Sequence, residues 1–105
     1  MLKFTDVLAL LDKAVGDAPV GAHHAFWRGL TRDAFVAKRV FGLPLIAEHD
    51  GAGSNLIKAL KGEAPFGSDL GTAGATMPRM PARRPAVADA DIACLSEWID
   101  NGCPE

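Results

Sequence analysis

The chain has 105 residues, which fits a single domain spanning 1–105. Hydrophobic residues make up 49% and charged residues 23%, a globular mixture that excludes wholesale disorder. Eleven Lys and Arg against thirteen Asp and Glu leave a net charge of −2, without the concentrated basic charge that nucleic acid requires.

The first predicted element runs from Phe4 to Val15. Phe4, Val7, Leu8, Leu11 and Val15 recur at spacings of three and four, the period of an amphipathic helix, and Leu10 widens the stripe. Thr5 or Asp6 can cap its start, and Gly16 stops it. A loop with Pro19 follows. The aromatic run 23–30, HHAFWRGL, suits a turn of helix.

The second element is predicted over Thr31–Val40. Thr31 is the N-cap, Asp33 sits in the first turn, and Lys38 and Arg39 suit the end. Gly42 and Pro44 close it. The third is Asn55–Lys61, capped by Ser54 and ended by Gly62, with Leu56, Ile57 and Leu60 on its buried side. A long loop, Glu63–Ala86, carries Gly67, Gly71, Gly74 and four prolines. A loop of that length in a compact domain is functional or wraps something. The fourth element is Asp89–Asn101. Ile92, Leu95, Trp98 and Ile99 follow the helical period, Asp89 and Asp91 load the N-terminus, and Gly102 closes the end. No stretch alternates with period two, so sheet content near zero is expected. The fold class is therefore all-α.

Two Cys exclude a disulfide-dense scaffold and a four-thiolate metal site. No run of about 20 apolar residues exists, so no membrane span is expected. Lys3 and Asp6 interrupt the opening apolar run and no small-residue cleavage site follows. That does not read as a secretory signal, and a cytoplasmic location is the expectation.

The segments SNLIKALKGEAPFG, TMPRMPARRP and VADADIACLSEWIDNGCPE, with the opening FTDVLALLDKAV, cover about half the chain. Together they resemble small single-haem domains of the c-type cytochromes. There a Met-Pro loop precedes a helix ending in Trp-Ile, two residues and Gly. The resemblance implies a small bundle in which the N- and C-terminal helices cross, with Trp98 packed at the crossing. Small Ala9 and Ala14 would allow a close approach there. The segment from His23 to Leu45 has no counterpart in that family.

One departure governs the chemistry. The family attaches haem through Cys-x-x-Cys-His directly after the first helix, where this chain reads VGDAP at Val15–Pro19. No thiol or imidazole is there, so thioether attachment is excluded. His23 and His24 follow at a shifted register. The resemblance carries the fold over, and not the cofactor.

Several residues could still carry chemistry. His23 and His24 are adjacent, so they diverge by about 100° on a helix or point to opposite faces when extended. They read as a loop pair. The alternative is that one joins His49, Met77 or Met80, a soft set suited to copper or haem iron. Without haem, Met77 or Met80 is expected to fold inward as packing. Cys94 and Cys103 read as free thiols, Cys94 largely buried. Arg79, Arg83 and Arg84 put positive charge on the proline-rich loop. That is either a solvated loop or a docking patch for an acidic partner. In the family this loop lies near the edge of the cofactor where partners dock. No nucleophile-base pair, phosphate loop or paired inward carboxylates stand out, so an enzyme is not expected.

The reading is thus a haem-free accessory or protein-interaction module with no cofactor and no metal, associated with a redox enzyme. The alternative is an electron carrier holding copper or non-covalent haem between His23 or His24 and Met77 or Met80. The two differ at the centre of the domain. Either Phe26, Trp27, Phe35 and Phe41, closed by Phe66 and Met80, replace the haem volume, or an open pocket lies between His23 and Met80.

Overall fold

The computed structural model describes residues 2–15, 27, 29–40, 42–80 and 87–105. His23, His24, Phe26, Phe41, Arg83 and Arg84 lie outside these residues, as does the cap expected at Gly16. The described elements are α1 (Phe4–Val15), α2 (Arg32–Val36), β1 (Arg39–Val40), β2 (Leu43–Pro44), α3 (Asn55–Lys61), a 3-10 turn (Ser68–Leu70) and α4 (Asp89–Asp100).

Helix α1 has the predicted bounds. Asp6 caps it from inside the first turn, its Oδ2 accepting from Lys3 N at 2.9 Å, the reciprocal half of a capping box. Phe4, Val7 and Leu11 are buried, while Ala9 is exposed and so does not provide the close approach expected of it.

Helix α2 is shorter than the predicted Thr31–Val40. Thr31 does cap it, its hydroxyl accepting from Ala34 N at 3.2 Å. After Val36 the chain turns, with Lys38 N donating to Phe35 O at 3.2 Å. Arg39 and Val40 then pair with Pro44 and Leu43 in an antiparallel ladder. The β-branched Val40 favours extended backbone, and Gly42 at φ +78° lets the chain reverse. The sheet is two residues per strand, so the architecture stays helix-rich, with four helices among the described residues.

Helices α3 and α4 pack on each other. The loop before α3 is folded tightly around Ser54, which is fully buried. Ser54 stands at the N-cap position but its hydroxyl does not cap α3 as predicted. It accepts from Ala47 N at 2.8 Å and faces the carbonyl of Asp50 at 2.9 Å. Gly51 lies against α4, where a Cβ would fall 2.4 Å from Ser96 O, and its N–H donates to Asp100 Oδ1 at 2.7 Å.

The core joins all four helices. Phe4 of α1 stacks on Trp98 of α4 at 6.4 Å between centroids. Phe35 of α2 meets Phe4 at 5.6 Å and the edge of Trp98 at 6.1 Å. Val7, Leu11, Trp27, Ile57, Leu60, Leu95 and Ile99 surround this aromatic trio. Phe66 is buried but outside this cluster, so it does not close the core as expected, whereas Met80 packs half-buried against it. No helix among the described residues is long and apolar enough to cross a membrane.

Candidate functional site

Helix α3 ends at Gly62, whose φ of +75° lets the backbone leave the helix, while Glu63 N donates to Lys58 O at 2.9 Å. The chain from 63 to 80 then folds back on itself. Thr72 Oγ donates to Gly62 O at 2.8 Å, and Thr72 N to Gly67 O at 3.1 Å. Thr76 N and Met77 N both donate to Pro65 O, at 2.9 and 3.0 Å, and Ser68 N donates to Met77 O at 3.0 Å. Phe66 and Met77 form a parallel bridge. Finally Met80 N donates to Ala59 O at 2.8 Å, stitching the loop to α3. The long segment is thus a bonded platform on the end of α3, a compact loop closed by its own hydrogen bonds.

This platform presents three of the predicted site residues. Met77, Arg79 and Met80 are all half-buried. The inward methionine of the sequence reading is Met80, the one that reaches the core cluster. The Cβ and Cγ of Arg79 lie 3.4 Å from where a Cβ on Gly62 would stand, and Leu70 Cδ1 lies 2.7 Å from the same point. Leu70 and Arg79 therefore converge over Gly62. At 53% exposure, Leu70 is the large hydrophobic residue that the described surface leaves open to solvent. Lys61, the residue before Gly62, is exposed, with Nζ 3.9 Å from Glu63 Oε1.

His49 is placed elsewhere. It sits at φ +59° in the loop before α3, and its Nδ1 lies 3.3 Å from Asp100 O at the end of α4. No group of three or more His, Cys, Asp and Glu among the described residues could hold a metal.

His49 lines a recess with Arg32, Val36, Glu48, Gly102 and Cys103. Its volume is about 70 Å³, room for a few waters at about 30 Å³ each and far too small for a haem. Arg32 closes one side. Its Nε donates to Cys103 O at 2.8 Å, one terminal nitrogen to Gly102 O at 2.9 Å, and the other to Asp33 Oδ1 at 2.7 Å. The Asp33 hydrogen bond holds the guanidinium charge still more firmly than usual. Cys103 is 1% exposed, and burial pushes its thiol pKa up, only partly opposed by Arg32. A thiol kept protonated in this way is a poor nucleophile.

Both cysteines are free, but Cys94 is not buried as expected. Cys94 is exposed and Cys103 is buried. One step of about 100° from Leu95 takes Cys94 off the apolar stripe of α4. Cys103 turns inward because the chain past α4 folds back. Gly102 N donates to Ile99 O and Cys103 N to Trp98 O, a Schellman closure with Gly102 at φ +88°.

Leu70 and Lys61 were not among the residues the sequence singled out. The available signal was a leucine between Gly67 and Gly71, both at positive φ, in a turn too tight to bury it. No protein-family model, no curated protein and no solved structure matches the chain.

Proposed function

We propose that the chain is a haem-free, cytochrome-c-like accessory module of the cytoplasm that works by protein interaction beside a redox enzyme and is not itself an enzyme. Its partner on this reading is an acidic protein, the oxidoreductase itself, met by the loop that bears Arg79, Arg83 and Arg84. The reading rests first on the resemblance of the segments around α1, α3 and α4, and on the VGDAP sequence where an attachment motif would stand. The observation that carries it furthest is the centre of the fold. Phe4, Phe35 and Trp98 meet within 6.4 Å of one another, and Trp27 joins the same cluster. Aromatic rings so packed supply the apolar contacts that a cofactor would otherwise provide.

The test is an absorbance spectrum and metal analysis of the purified chain before and after incubation with haem and with copper. A colourless, metal-free chain that takes up neither supports the accessory reading. Stoichiometric uptake, lost in His23→Ala or Met80→Ala variants, overturns it in favour of a carrier.

A further inference from the structure

We draw no further inference here: the strongest candidate, the small recess that Cys103 lines with Arg32, Glu48 and His49 past the end of α4, rests on a lone buried cysteine beside which nothing among the described residues points to a ligand.

Discussion

Arg32 Nε donates to the carbonyl of Cys103 at 2.8 Å, tying the start of α2 to the chain beyond α4, 71 residues away. The same guanidinium reaches Gly102 O at 2.9 Å. Carbonyls past a helix end carry the negative pole of the helix dipole, and a cation there satisfies both their lone pairs and that field. Trp98 Nε1 adds a bond to Pro104 O at 2.8 Å. The tail is therefore strapped down over the core from two sides.

Replacing Arg32 by Met is expected to loosen that strap. The readout is thiol reactivity with Ellman's reagent under native conditions. The parent should titrate one fast thiol, the exposed Cys94, and the variant two. A second thiol that stays slow in Arg32→Met would show that the Schellman closure and Trp98 hold Cys103 without the guanidinium.

Trp98→Ala should cost about 3–5 kcal/mol, because a large ring is removed from a site that cannot fully collapse. Trp98 is 1% exposed, touches both Phe4 and Phe35, and holds Pro104. Urea unfolding measures this directly, and a midpoint equal to the parent's would place Trp98 outside the stabilising core.

Stability is expected to fall as pH rises above about 8.5, where the thiol of an unfolded chain begins to ionise. In the folded chain burial raises the Cys103 pKa, so the folded state keeps a proton that the unfolded state has released. Unfolding then gains from rising pH, and the contribution is absent below that range. Urea midpoints of the parent and Cys103→Ala, compared between pH 7.5 and pH 10, test this. The variant should show the shallower decline, and parallel curves would exclude Cys103 as its source.

Gly62→Ala should destabilise by about 1–2 kcal/mol, the cost of placing a Cβ on a left-handed residue. Gly62 lies at φ +75°, and the new methyl would meet Leu70 Cδ1 at 2.7 Å. Leu70 can swing away, so the strain falls mainly on the backbone. A lowered thermal midpoint with altered amide shifts at 67–72 is the expected result. A midpoint unchanged from the parent would show that the helix end adapts.

Intact-protein mass spectrometry after expression with haem maturation factors should show the mass of the bare chain. VGDAP at Val15–Pro19 offers no thiol for a thioether bond. A haem adduct that survives denaturation would refute this.

The sequence by itself determined the helices and most of their ends. Phe4–Val15 and Asn55–Lys61 have the predicted bounds, and Asp89–Asp100 differs by one residue, because apolar spacing and Gly62 or Gly102 act locally. Periodicity also placed Phe35, Leu95 and Trp98 in the core. What it could not show were choices made between distant segments. Ser54 could cap α3 or bond Ala47, and burial against the preceding loop selected Ala47. Val40 could extend a helix or join a strand, and the turn at Gly42 offered it Leu43. Cys103 is buried because the tail turns back at Gly102 and is held by Arg32. Leu70 is left exposed on a turn that Thr72 ties to Gly62, a bond ten residues apart that no local pattern announces. Local propensity is encoded residue by residue, but which donor meets which acceptor across the fold depends on where packing leaves them, and only the tertiary structure decides that.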